Sequence, residues 1–180
     1  MQIENSKRLC YALMTQNDGE LLYQLDQDRE VMRFINGGVL TTQDEIENVY
    51  LPRLKQYTNQ KNGWGLWKVF TRENHDYIGW ILIRPVGFFG KEPDYNNLEM
   101  GWRFFKKSWG KGFATEAAES IKQALITQTT INKLSAIANE DNLASINIMK
   151  KLGMKYIKKY LHKDPIYSEE VVYYELDVRN

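Results

Sequence analysis

The sequence predicts an α/β (α+β) domain built on a mixed β-sheet, and three features of the chain carry that prediction. Residues 97–104 read as a strand, 113–128 as a helix and 133–138 as a further strand, with a glycine-rich turn between the first two. A strand, a crossover helix and a second strand make parallel neighbours. Residues 66–70 and 77–84 are rich in aromatic and β-branched side chains and flank the polar run 71–76, which is the pattern of an antiparallel hairpin. Residues 156–161 and 171–176 read as a closing antiparallel pair.

The first strand is expected at 8–14. Thr15 with Asp18 three residues on is a capping box, so a helix is expected over about 17–25. A short helical turn at 30–34 ends at Gly37-Gly38. Thr42 with Glu45 is a second capping box, and Ile46, Val49, Tyr50, Leu54 and Tyr57 follow at helical spacing. Pro52 should kink or split that helix. After the hairpin, 85–96 reads as a long loop containing Phe88-Phe89. Ile146, Met149 and Leu152 mark an amphipathic helix over 142–152, with Gly153 as its C-cap.

A chain of 180 residues with 43% hydrophobic and 13% aromatic side chains can build a real core, so one domain spanning 1–180 is expected rather than a disordered chain. A net charge of +1 gives no general pull toward nucleic acid or an anionic membrane, and neither is expected as a partner. Cys10 is the single cysteine, which excludes an internal disulfide and suggests a reducing, cytoplasmic setting. No apolar run approaches membrane-spanning length, and the N-terminus does not look like a signal peptide. His75 and His162 lie far apart without cysteine partners, so no metal site is expected.

The most informative stretch is Trp109-Gly110-Lys111-Gly112-Phe113-Ala114-Thr115-Glu116-Ala117, at the start of the crossover helix. Two glycines there allow a tight bend and remove Cβ atoms that would hold a ligand away from the backbone. Free N–H groups and the positive end of the helix dipole then converge on one point, which suits a phosphate or pyrophosphate. Lys106, Lys107 and Lys111 add charge. Thr115 stands where a dinucleotide fingerprint needs glycine or alanine, and Gly112 stands where a P-loop needs serine or threonine, so both standard nucleotide motifs fail.

A third pattern fits. Glu99-Met100-Gly101-Trp102, the glycine stretch, Asn139-Glu140-Asp141-Asn142-Leu143-Ala144-Ser145 and Lys151-Leu152-Gly153-Met154 resemble, in order and spacing, the GNAT acyltransferase superfamily. Ser6-Lys7-Arg8-Leu9 and Asp28-Arg29-Glu30-Val31-Met32-Arg33-Phe34 resemble its ribosomal-protein N-terminal acetyltransferase branch. The resemblance implies a mostly antiparallel sheet of six to seven strands, a splayed parallel pair and helices on both faces. It implies an N-acetyltransferase that moves the acetyl group of acetyl-CoA to a primary amine by direct attack in a ternary complex. The pantetheine arm would pair with the strand edge at Met100, Gly101 and Trp102. The pyrophosphate would sit on the N–H groups of Gly110, Lys111, Gly112, Phe113 and Ala114, with Thr115 and Lys107 nearby. Lys107 departs from the Gln or Arg frequent in the family but keeps the charge. Asn142 would hydrogen-bond the pantetheine, cap its helix, or both.

Amine acetylation needs a neutral amine, a stabilised oxyanion and a leaving thiolate. The resemblance makes Glu99 the base, working through water, although it also reads as an ordinary strand glutamate. The tyrosine acid common in the family is absent, because Met149 occupies its place. Ser145 matches the serine assigned that role in the N-terminal acetyltransferase branch, and it also reads as a helix-start serine. Direct attack needs no acyl-enzyme, and Cys10 reads as a buried structural thiol. Phe88 and Phe89 read as packing or as acceptor-pocket walls.

The amine acceptor stays open between a protein or peptide N-terminus and a small molecule, and a homodimer is compatible with the family. Acids crowd the first third, from Asp18 to Glu47, while six lysines from Lys150 to Lys163 crowd the end. Both clusters read as solvated faces, or as an acidic side for a cationic acceptor and a basic side for the cofactor. Two rival readings are an acyl-CoA-binding sensor with little catalysis and a nicotinamide enzyme using the same glycine turn.

Overall fold

A computed structural model describes residues 1–179. One seven-stranded sheet runs in the order β1-β2-β3-β4-β5-β7-β6. Its strands are β1 (Leu9–Leu13), β2 (Gly65–Thr71), β3 (Tyr77–Val86), β4 (Asp94–Phe104), β5 (Lys133–Ala138), β6 (Lys155–Asp164) and β7 (Tyr167–Asp177). The β4–β5 pair is parallel and the other neighbours are antiparallel. The helices are α1 (Gly19–Leu25), α2 (Arg29–Asn36), α3 (Gln43–Glu45), α4 (Leu51–Tyr57), α5 (Phe113–Gln128) and α6 (Leu143–Lys151).

Period-two alternation splits the strand side chains between two cores. Ile81, Ile83, Leu98 and Met100 face α5 and α6, where Ala117, Ile121, Leu125, Ile146 and Met149 complete one cluster. Leu66 and Trp80 face the other way, onto Leu22, Leu25, Val31, Ile46 and Leu54 of the N-terminal helices. Helices therefore cover both faces, as the resemblance implied.

Both capping boxes form: Asp18 accepts the Thr15 backbone N–H at 2.7 Å, and Glu45 accepts that of Thr42 at 2.8 Å. Pro52 does not break its helix. A π segment (Ile46–Tyr50) joins α3 to α4, with the Leu51 N–H donating to the Ile46 carbonyl five residues back. A wider turn accommodates the donor that proline lacks.

The expected loop over 85–96 is shorter. Pro85 still pairs with Leu98 at the end of β3, and β4 begins at Asp94, so 87–93 alone connect them. The register shifts between Pro85 and Val86, a bulge position where a missing N–H is tolerated. Cys10 is half-buried rather than buried, because β1 is the outer strand of the sheet. Among the described residues, no helix is long and apolar enough to cross a membrane.

Candidate active site

The parallel ladder between β4 and β5 is short. It pairs Asn97 with Lys133, Leu98 with Leu134 and Glu99 with Ser135, and then stops. β4 continues to Phe104, while β5 stays paired with β7 along its whole length. The two strands part just after Glu99 and leave the 100–104 edge of β4 without a neighbouring strand on that side. A groove of about 360 Å³ opens there. Trp102 and Phe104 form its floor, 112–115 one end, and Asn142 and Ser145 of the α6 start a side wall. Val31, Phe34 and Ile35 of α2 close it from above.

Gly110 and Gly112 adopt φ of +72° and +77°, in the left-handed region that glycine enters without strain. Gly112 is the N-cap of α5 and brings no side chain to cap it. No backbone carbonyl among the described residues takes the N–H of Gly110, Lys111, Gly112, Phe113 or Ala114. A sixteen-residue helix thus presents open donors and the positive end of its dipole to the groove. That arrangement suits a pyrophosphate.

The cations differ from those expected. Lys107 does not line the groove; its ammonium lies 5.3 Å from the Phe105 ring centroid. Lys111 contributes its carbonyl, which accepts from Arg8 Nη1 at 2.9 Å. Arg8 was not recognised from sequence as a neighbour of this loop. Its guanidinium lies 4.5 Å from the Phe113 ring centroid, and its Nε donates to Glu116 at 2.6 Å. Ser6 Oγ and the Arg8 N–H also donate to Glu116, at 2.7 and 2.8 Å. Burial alone would raise the Glu116 pKa, but these hydrogen bonds outweigh it and hold the carboxyl below its usual range. Lys151 is the lysine of the C-terminal cluster that lines the groove.

Asn142 caps α6, its Oδ1 accepting the Ser145 N–H at 3.1 Å, and its side chain also lines the groove. Trp102 Nε1 donates to Ser145 Oγ at 3.1 Å. The Ser145 hydroxyl keeps its proton for another acceptor. Met100 is 1% exposed with its side chain in the core, and neither it nor Gly101 lines the groove. Gly101 lies opposite Leu82 on the sheet face away from α5.

Glu99 faces that same side, where its Oε2 accepts from Arg84 Nε at 3.0 Å. Its Oε1 carries no hydrogen bond among the described residues. Burial pushes the Tyr57 phenol up to about 12, and burial together with the Glu99 charge pushes Tyr160 up to about 12. Both stay protonated at neutral pH and neither supplies a base. Phe88 and Phe89 pack edge-on against Tyr57, at 6.0 and 6.1 Å between ring centroids.

A split parallel pair, a helix start with open donors and a long groove between them define a coenzyme-dependent acyltransferase. The chain belongs to the GNAT acetyltransferase family, whose domain matches residues 8–155. It is an acetyl-CoA-dependent N-acetyltransferase, with acetyl-CoA as the acyl donor. In sequence it is similar to the uncharacterised N-acetyltransferase YnaD of Bacillus subtilis (strain 168), at 28% identity over 173 residues and 93% of each chain. Its fold matches a GNAT-family acetyltransferase from Bacillus anthracis, with a TM-score of 0.76, 22% identity and all of both chains covered. It also matches RimL, a ribosomal L7/L12 alpha-N-protein acetyltransferase in complex with coenzyme A, with a TM-score of 0.74, 13% identity, 97% of this chain and 97% of that one.

Proposed function

We propose that this enzyme acetylates the primary amine of a small molecule or a protein N-terminus by direct attack on acetyl-CoA in a ternary complex. The observation that carries the reading is the groove along the 100–104 edge of β4, which opens where the β4–β5 ladder ends after Glu99. Pantetheine runs along the β4 edge at Met100, Gly101 and Trp102. The pyrophosphate rests on the N–H groups of Gly110 to Ala114, with Thr115 and Arg8 beside it. The acceptor nitrogen attacks the thioester carbon, the N–C bond forms and the C–S bond breaks. Glu99 takes the amine proton through a water at Oε1, and Ser145 donates a hydrogen bond to the departing thiolate. Asn142 holds the α6 start in place for that contact.

The branch motifs at 6–9 and 28–34 favour a relative of the ribosomal-protein acetyltransferases. A single half-buried, unbridged cysteine fits the reducing cytoplasm, and one domain suffices for both substrates.

Thermal shift tests the coenzyme site. Coenzyme A at one hundred times its Kd should stabilise the fold by about 2.7 kcal/mol, a Tm rise of roughly 5–10 °C at this size. NAD should give no shift. Gly112→Val places a branched side chain in a left-handed position beside the open donors and should remove most of the coenzyme A shift. An unchanged shift in the variant would put the pyrophosphate elsewhere.

A further inference from the structure

A second cavity, of about 140 Å³, lies on the sheet face opposite α5, between the strands and the N-terminal helices. Its polar lining is Arg53, Arg84, Arg103, Asp26, Tyr50, Tyr57 and Trp80. Arg103 is the residue that, among the described ones, lines both this cavity and the coenzyme groove. On β4 it shares a face with Glu99, with Gly101 between them, and Leu82 opposite Gly101 also lines the cavity. The cavity therefore adjoins the point where the thioester must be attacked.

The lining holds three guanidiniums, and the acids that pair with them leave it close to neutral overall. Each arginine is held by an acid: Arg103 Nη1 donates to Asp26 at 2.5 Å, Arg84 to Glu99 at 3.0 Å, and Arg53 to both Asp164 oxygens at 2.8 Å. Arg103 Nε and Trp80 Nε1 are nevertheless buried with no hydrogen-bond partner among the described residues. The two residues are directly opposite in the β3–β4 ladder, with the guanidinium 5.1 Å from the indole ring. Both atoms are donors only, so the group that satisfies them must accept hydrogen bonds.

Resting on the acetyltransferase reading above, we propose that this cavity is the acceptor subsite and that it takes a small primary amine bearing a carboxylate. The carboxylate occupies the Arg103–Trp80 donor pair, and the amine points along Gly101 toward Glu99. A cavity of about 140 Å³ admits a small amino acid. A second ammonium, as in a polyamine, finds in the lining only the Asp26 carboxylate, whose oxygens already accept from Arg103 and Thr41. Four acids of the first third are already engaged within the fold. Asp18 is paired with Lys68, Asp26 with Arg103, and Asp28 and Glu45 cap helices.

The test is coenzyme A release from acetyl-CoA with small amino acids, their carboxamides and putrescine, alongside the coenzyme A thermal shift. The carboxamides carry the less basic amines and are more often neutral, so intrinsic reactivity favours them, and a preference for the acid reports the cavity. The expected result is a kcat/KM at least tenfold higher for the acids than for their carboxamides, with putrescine lowest. Trp80→Phe removes one donor and keeps a smaller aromatic ring in its place; it should raise KM for the acids severalfold and leave the coenzyme A shift intact. Equal or better turnover of carboxamides or putrescine would overturn the inference. So would an intact coenzyme A shift with no turnover of any acid. A wild-type enzyme without a coenzyme A shift would instead overturn the acetyltransferase reading itself, and this inference with it.

Discussion

Ser145 shows how a single side chain can be prepared for one step. Trp102 fills one of its lone pairs and Asn142 fixes its backbone, so the hydroxyl proton is the part left to act. A hydrogen bond to a thiolate contributes about 1.5–3 kcal/mol, and its loss in Ser145→Ala should lower kcat roughly ten- to a hundredfold. The coenzyme A shift should persist, and an unaltered kcat would remove Ser145 from the reaction. Glu116 makes a different kind of prediction. Its folded pKa is depressed, so its contribution is full above the ordinary carboxylate pKa of about 4.3 and is lost as pH falls through the folded value. Arg8 is 43% exposed, so solvent screening limits the tie to about 1–2 kcal/mol. The Tm gap between wild type and Glu116→Gln should be widest near neutral pH and should close as pH falls below the ordinary carboxylate range. A gap that does not change with pH would assign the effect to packing alone. The Gly110/Gly112 cradle was legible because two glycines one residue apart at a helix start serve little besides a close approach to the backbone. Arg8 was not, because its partner Glu116 lies 108 positions away and no local pattern joins them.

Elements were most legible where hydrophobic period changed. The helix at 113–128 and the strand at 133–138 have the expected bounds, since a period of 3.6 gives way to one of 2 across a polar turn. The β3 end was hidden because proline reads as a loop start, although a bulge can carry it. The groove roof made by α2 was also hidden, since its amphipathic pattern says only that one face is covered. A tertiary tie that no pattern displays joins α4 to the β6 end: Arg53 Nη2 meets both oxygens of Asp164 at 2.8 Å, with side chains 14% and 5% exposed. The Arg53 guanidinium also lies 3.7 Å from the Phe89 ring centroid. Removing one partner of a buried pair leaves an uncompensated charge, so Asp164→Leu should cost about 3 kcal/mol and lower Tm by roughly 6–12 °C. Adding Arg53→Met should restore much of that loss, because an apolar pair needs no desolvation. Equal losses in the single and double variants would mean that the unpaired Arg53 charge is not the source of the loss.

At the scale of the whole molecule, a net charge of +1 leaves no long-range field to gather an anionic coenzyme. The attraction must be local, from open N–H groups and the helix dipole at 110–114, with Arg8 and Lys151 beside them. The lysine-rich end is a poor substitute. Lys159 is shared between Glu140 and Glu170, at 2.7 and 3.3 Å, and Lys158 lies over the Tyr160 and Tyr173 rings. Charges within a few ångströms of a bound phosphate act inside the Debye length of about 8 Å at physiological salt, and fixed dipoles release no counterions. Coenzyme A affinity should therefore fall less than tenfold between about 0.05 and 0.5 M salt, less than about 1.4 kcal/mol. Titration calorimetry across that range reads the slope directly. A shallow slope in wild type that is unchanged by Lys158→Gln and Lys159→Gln would place the attraction in the glycine cradle. A steep slope that flattens in those variants would move it to the basic β6 strand and unseat the cradle as the main anion site.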